Sequence, residues 1–399
     1  MVDRRLAPPS LTAAMTLPAP TTEALAFSAA LSGHLVREID AGGGWIGFDR
    51  FMDLALYAPA MGYYSGGAHK FGAAGDFVTA PELSPVFAQT LAAQVRQILA
   101  LSSPQIIEVG AGSGQLAAHL LRELESRGVL PESYAILELS GELRARQRQV
   151  IAAQVPHLLS RVSWLERLPE RFAGLVLANE VLDAMPVHLV VWNETGVAER
   201  GVTVKHGQFA WVDRPASGRL RERALALAAE CALPPGYLSE VSLAAGAWVA
   251  EWAARLGCGA LLLIDYGFPR REYYHPQRSA GTLMCHYRHH AHGEPFYLPG
   301  LQDITAHVDF TAIVESGCSA GLELLGYSTQ SSFLLDCGLA AVLARTPSSD
   351  ARRYLPLASA ANKLVSPAEM GELFKVMALG KGIAEPLLGF ASGDRSRTL

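Results

Sequence analysis

Between residues 105 and 178, short apolar runs alternate with amphipathic stretches. Gln105–Val109, Tyr134–Leu139, Arg161–Leu165 and Gly174–Ala178 are five or six residues long and read as buried strands. Gln115–Arg127 lies between the first two and sets Leu116, His119, Leu120 and Leu124 on one helical face. Glu142–Gln154 reads as a more polar helix. Strands and helices alternating at this interval predict parallel βαβ units, with helices on both faces of one sheet. The expected class is α/β, with a Rossmann-like sheet; right-handed crossovers leave few topologies to consider.

The flanks have a different rhythm. Helices are predicted over Thr21–Ile39, Phe48–Tyr57 and Ser84–Leu99, with a stretch rich in glycine and aromatic residues from Gly42 to Ala80. After Pro186 come three β-rich runs, Val187–Trp192, Gly196–Val204 and Gln208–Val212, expected to form antiparallel hairpins. They are either an insertion or an extension of the main sheet. Two helices, Arg219–Ala232 and Ser239–Leu256, should follow, then an apolar strand, Ala260–Ile264, ending at Asp265-Tyr266-Gly267. Phe268–Pro299 has little periodicity and reads as a long active-site loop; a helix is expected around Asp309–Ser319. This divides the chain into a loose tail (1–20), an N-terminal helical and loop segment (21–100), a core (101–345) and a C-terminal extension packed on the core (346–399). The core carries the insertion around 187–257.

Half of the 399 residues are hydrophobic, ample for a large core, and the net charge is −5. That balance offers no basic footprint for nucleic acid. No apolar run reaches the roughly 18 residues of a membrane span. Cys231, Cys258, Cys285, Cys318 and Cys337 are scattered and odd in number, which suits a reducing compartment rather than a disulfide framework. Pro8, Pro9, Pro18 and Pro20 interrupt the N-terminus, which has no apolar signal core.

The clearest chemical pattern is IIEVGAGSGQL, residues 106–116. An apolar strand runs into Gly110, Ala111, Gly112 and Gly114, and a helix starts at once. Such a turn lets backbone approach a ligand and offers the free N–H groups of a helix N-terminus. Glu138 ends the next strand, 24 residues after Gly114, where a carboxylate can accept both hydroxyls of a ribose. A dinucleotide fingerprint would need glycine at position 115, which is Gln115. Strand acid Glu108 followed by GxGxG instead suits S-adenosylmethionine, and a nicotinamide-dependent oxidoreductase is the disfavoured alternative.

EVGAGSGQL resembles motif I of class I methyltransferases. With GDFVTAPELSP (75–85), LANEVLDAMPV (177–187), LLLIDYG (261–267), GTLMCHYRHH (281–290) and QDITAHVDF (302–310), the chain resembles the MidA family from about Gly42 to Phe390. That family includes the mitochondrial complex I assembly arginine methyltransferase and its bacterial relatives. The resemblance implies a seven-stranded methyltransferase sheet with insertions, S-adenosylmethionine as cofactor, and an arginine-bearing protein as methyl acceptor, with a role in respiratory complex assembly. It implies too that the segment before residue 100 covers the cofactor, with Thr79 in a flap; Thr79 and Glu82 as a helix capping box is the competing reading. A cytoplasmic location is expected, or the mitochondrial matrix in a eukaryote. The oligomeric state stays open, a homodimer included.

The fourth strand ends in Asn179-Glu180-Val181-Leu182-Asp183. Asn179 is a candidate for the cofactor's amino acid end or the substrate. Glu180 is the candidate to grip the acceptor nitrogen, with Asp183 a second catalytic carboxylate within one turn. The plainer alternative is a helix cap with acidic first-turn residues. Asp76 is a further acid of the flap motif, and Asp265, at the end of an apolar strand, either faces the same cleft or is a turn acid before Gly267. His286, His289, His290 and His292 beside Cys285 are poorly spaced for a metal, so none is expected; a polar substrate lid is the preferred reading. His307 and Asp309 either cap the following helix or reach the acceptor. A non-catalytic assembly factor that keeps the cofactor pocket is the second functional hypothesis.

Overall fold

The computed structural model describes residues 17–66 and 79–399. Its centre is a seven-stranded sheet: β1 (Gln105–Val109), β2 (Ser133–Leu137), β3 (Val162–Leu165), β4 (Phe172–Asn179), β5 (Leu256–Phe268), β6 (Glu323–Thr329) and β7 (Phe374–Lys381). The spatial order is 3-2-1-4-5-7-6. Strands β1 to β5 pair in parallel, and β7 runs antiparallel to both β5 and β6. The expected α/β class and βαβ order hold. The segment after residue 346 is more than an extension, because it supplies β7 in the middle of one sheet half.

Side-chain alternation sorts the core into two layers. Ile106, Ile136, Leu175, Leu177, Leu262 and Val376 belong to one apolar cluster with the helices of residues 86–101 and 115–126. Ile107, Ala135, Val176, Leu261, Leu263 and Met377 belong to another with Leu243–Arg255 and Phe310–Ser319. Glu108 falls on the first face, so a carboxyl sits in an apolar layer; Tyr134 Oη donates to it at 2.7 Å.

The helices are α1 (Thr22–Ala41), α2 (Phe48–Tyr57), α3 (Ala80–Leu83), α4 (Val86–Leu101), α5 (Gln115–Ser126) and α6 (Gly141–Gln154). The helix predicted from Ser84 is interrupted: Ser84 is extended at φ −172°, ψ 154°, because Pro85 disfavours helical geometry in the residue before it. Residues 188–193, 196–205, 208–215 and 237–241 form a separate antiparallel sheet with Ile46–Gly47, so the insertion is a unit of its own.

Tyr237–Val241 is a strand, where a helix from Ser239 is expected. Tyr237, Ser239 and Val241 alternate along it, and the helix begins only at Leu243, capped by Ser242 Oγ accepting from Ala245 N. Glu240, only 2% exposed, organises the segment beyond β5. Its carboxylate accepts from Thr282 N (2.9 Å), Leu283 N (3.0 Å), Thr282 Oγ1 and Tyr273 Oη (both 3.1 Å). Phe268–Pro299 is therefore tied down, with a helical turn at Arg270–Tyr273 and strands Met284–Tyr287 and His290–His292 pairing near Asp303–Thr305.

Candidate active site

At the carboxyl ends of β1, β2 and β4 lies a cavity of about 880 Å³. Ligands of open α/β sheets sit in this position, and the volume suits one nucleoside-sized molecule with room beside it. Eight acidic side chains and one basic one, Arg167, line it.

The cofactor-like half is built from one continuous stretch. Gly110, Gly112 and Gly114 hold φ of 63°, 52° and 87°, a region that side chains other than glycine enter only with strain. A Cβ on Gly110 would stand 3.3 Å from Val181 Cγ2. Ala111 is buried against the lining. Ser113 Oγ donates to Glu82, which locks α3 onto the turn.

Glu138 is nearly buried and its oxygens are both engaged. Ser140 N donates to one at 2.9 Å and Gln147 Nε2 to the other at 3.1 Å. Burial raises its pKa above the ordinary carboxylate range. Gln147, fully buried, also donates to Gly112 O at 3.1 Å and accepts from Trp164 Nε1 at 2.9 Å. It couples the turn to the acid. Sequence reasoning passed it over because α6 looks polar throughout; its one signal is a lone amide on the face that also carries Leu143 and Ile151. Glu108 is pushed up to about 7 by desolvation, against the Tyr134 hydrogen bond.

The other half is gathered from remote segments. Glu180 adopts φ 54°, a left-handed conformation rare for a side-chain-bearing residue and costing about 1–3 kcal/mol. It is held there by its own N–H to Ile264 O at 2.8 Å. Asp265 Oδ2 accepts from the N–H groups of Val181, Leu182 and Asp183 at 3.1, 2.9 and 3.3 Å. Asp265 thus shapes the loop instead of facing the cavity.

Asn179 Nδ2 donates to Glu180 Oε1 at 3.1 Å, and the Ala80 amide also reaches Glu180. Desolvation, then the charge of Asp183, pushes the Glu180 carboxyl up to about 8. Asp183 is 5% exposed; Tyr266 Oη donates to its Oδ2, and desolvation raises it to about 6. Asp183 Oδ1 and Asn179 Oδ1 are buried and hydrogen-bonded to no described group. Buried polar atoms ordinarily have partners, so these two are places for ligand donors.

The N-terminal segment contributes part of the cavity wall. Tyr57, Tyr64, Thr79 and Pro81 line it. Thr79 precedes α3, but its side chain makes no capping bond, so the capping box does not form. Asp76 lies outside the described residues. The start of α2 is pinned to the insertion, His188 Nδ1 lying 2.8 Å from Glu199 and 3.5 Å from Asp49.

The remaining candidates sit elsewhere. No residue from 268 to 300 lines this cavity, which corrects the expectation of an active-site loop there. Among the described residues, His286, His289, His290, His292 and Cys285 do not converge as a ligand set. Asp309 Oδ1 caps the helix Phe310–Ser319 through Ala312 N. His307 packs between Tyr266 and Phe268, and burial lowers its pKa to about 4.

Known proteins match this picture. Residues 86–328 match the model of a family of S-adenosyl-L-methionine-dependent methyltransferases. The mouse protein arginine methyltransferase NDUFAF7, mitochondrial, is 30% identical over 87% of this chain and 83% of its own length. Its zebrafish counterpart is 29% identical over 86% and 85%. A COG1565 superfamily member from Burkholderia thailandensis, crystallised with S-adenosyl-homocysteine, is 55% identical, with a TM-score of 0.93 over 96% of this chain and 100% of its own. Sheet order, glycine turn, acid-closed second strand and these matches agree: the chain belongs to the MidA family of class I S-adenosylmethionine-dependent methyltransferases.

Proposed function

We propose that the protein methylates a guanidinium nitrogen of an arginine in a protein substrate. The observation that carries this reading is the pair Glu180 and Asp183, which meet at one end of an acid-lined cavity while Asp183 Oδ1 lacks a partner. The name shared by the mouse and zebrafish relatives supports it.

The glycine turn, Glu138 and Asn179 would hold S-adenosylmethionine, with Glu108 behind the turn and Thr79 and Ala111 closing over it. The cofactor supplies an electrophilic methyl on a sulfonium, whose thioether leaves without an acid. The chain's own contribution is alignment and charge. A cationic acceptor entering beside Glu180 and Asp183 holds both carboxylates ionised, so their desolvation is offset only when it is present. The nitrogen that takes the methyl gives up one proton, and Glu180, with its raised pKa, is placed to receive it. The Glu180 backbone strain holds that carboxylate in place before the acceptor arrives.

All five cysteines are free, which supports a reducing compartment, whether cytoplasmic or, as in the named relatives, mitochondrial. Among the described residues no helix is long and apolar enough to cross a membrane.

The test is mass spectrometry of lysate proteins incubated with the purified enzyme and isotope-labelled cofactor. Labelled methylarginine in a protein is the expected product. Label found only on lysine, or only in small molecules, would sink the reading.

A further inference from the structure

The cavity holds one more carboxylate with the geometry of a binding group. Asp303 lies in a short strand, Asp303–Thr305, far in sequence from the glycine turn, yet lines the same cavity and is 2% exposed. Tyr64 Oη donates to both of its oxygens at 3.0 Å. That strand is fixed to the catalytic loop, since Ala306 N donates to Asp183 O at 3.0 Å. Tyr57 is fixed to the same loop by its hydroxyl on Ala184 O at 3.0 Å, and its ring stacks on Tyr64 with centroids 5.4 Å apart. Two flat rings and three carboxylates therefore line one cavity, in which Asp183 Oδ1 lacks a partner. Asp303, Glu180 and Tyr57 all line this one cavity.

We infer that Asp303 is a third acceptor-binding carboxylate, which together with Glu180 and Asp183 makes the pocket select a planar guanidinium over a lysine ammonium. This rests on the arginine reading above and adds the residue that enforces it. A guanidinium presents five N–H donors in one plane, pointing in several directions. The carboxylates of Glu180 and Asp183, in the loop after β4, and of Asp303 can each take a different edge, while the tyrosine rings offer a flat wall for the cation. An ammonium is a compact, strongly hydrated charge with three donors, and cannot satisfy three spread carboxylates at once. Each one left unpaired inside the protein is costly, so the mismatch discriminates.

Two probes avoid any need to know the acceptor protein. One is 5′-deoxyadenosine carrying a guanidine on a short tether; the other carries a primary amine on the same tether. Calorimetry on the full chain, with S-adenosylhomocysteine as reference ligand, should show the guanidine probe binding at least about 10-fold tighter than the amine, the loss expected when charged hydrogen bonds go unmade. Asp303→Asn should lose about 10-fold or more for the guanidine probe and keep S-adenosylhomocysteine affinity within about twofold. Tyr64→Phe, which removes the tyrosine hydrogen bond but keeps the carboxylate and its Ile304 amide donor, should lose about threefold. If both variants bind the guanidine probe as the wild type does while Glu180→Gln weakens it, Asp303 is structural and the inference fails, leaving the arginine reading intact. If the wild type binds both probes equally, the arginine reading itself fails. Should Asp303→Asn no longer bind S-adenosylhomocysteine, Tyr64→Phe decides alone.

Discussion

The two halves of the cavity are built by opposite rules. In the cofactor half, polar groups are matched within the protein: Glu138 has both oxygens engaged, Gln147 bonds in three directions, and the glycines sit in their preferred conformations. In the acceptor half, Asp183 keeps an oxygen without a partner, Glu180 holds a strained backbone, and buried acids crowd together. A recognition surface for an invariant ligand gains from being finished before the ligand arrives. On the proposed reading, a site that grips a cation and takes its proton gains from being left unfinished, with carboxylates whose desolvation only the acceptor relieves. Stability is given up in the second half for chemistry, and variants that touch one half should leave the other's readout unmoved.

The largest expected effect breaks the acceptor half alone. Glu180→Gln should lower kcat about 10³-fold, typical of removing a group that acts on charge developing in the transition state. S-adenosylmethionine affinity should stay within about twofold. Isotope transfer and calorimetry measure the two readouts. An equal fall in both would mean the halves are not separate. The same variant distinguishes an enzyme from a binding factor, since partner maturation that survives without methylation would make binding the main role.

Gly112→Val attacks the other half. At φ 52° a branched side chain is strained and projects toward the ligand, so cofactor affinity should fall about 100-fold, from roughly 1–3 kcal/mol of backbone strain plus lost contact. Circular dichroism establishes that the variant is folded. Unchanged affinity in a folded variant would remove the cofactor from the glycine turn.

The halves should also differ in pH response. With Asp183 near 6 and Glu180 near 8, the free enzyme gains its negative acceptor site as pH rises, and kcat/KM should climb across that window. Because the two acids interact, the profile reports values of the pair. Stability has the opposite sign. A carboxyl raised from 4.5 toward 8 binds more protons folded than unfolded, so it stabilises below about pH 4.5 and that contribution is lost as pH rises through 8. The melting temperature of Glu180→Gln should therefore exceed the wild type's most clearly near pH 8 and least near pH 5. A gap that stays flat with pH would show that Glu180 is not desolvated in the apo protein.

The contrast explains how much of the molecule is legible in its sequence. The cofactor half obeys local rules: a strand, a glycine turn, a helix and a second strand closed by an acid, all within about 35 residues, where spacing is geometry. The acceptor half depends on long-range placement. Glu180 and Asp183 are visible because they end a strand, but Tyr57, Tyr64, Tyr266 and Asp303 enter from segments whose meeting no periodicity encodes. Asp303 stands within a family motif and still escapes notice, because attention there goes to His307 and Asp309. Residues 268–300 mislead for a related reason. Their lack of periodicity reflects tethering to buried Glu240, which side-chain hydrogen bonds achieve and hydrophobic patterns do not register. Strand β7 is missed as part of the core because its partners β5 and β6 precede it in the chain.

The smallest expected effect tests whether the cofactor half is as finished as it looks. Gln147→Leu conserves volume approximately and removes three hydrogen bonds: to Gly112 O, to Glu138 and from Trp164. A net hydrogen bond contributes about 0.5–1.5 kcal/mol, and burying Leu recovers part of the loss in stability. Glu138 keeps its Ser140 amide but loses the amide that fixes its second oxygen, so its angle to a ribose is no longer set. The expected result is a 5- to 10-fold weaker S-adenosylmethionine Kd, on the order of 1 kcal/mol, with kcat at saturating cofactor unchanged. Loss of kcat at saturation would mean that Gln147 also shapes the acceptor end, and that the two halves share a framework after all. An unchanged Kd would mean that the turn and the acid are each held well enough without it, and that their coupling is incidental to binding.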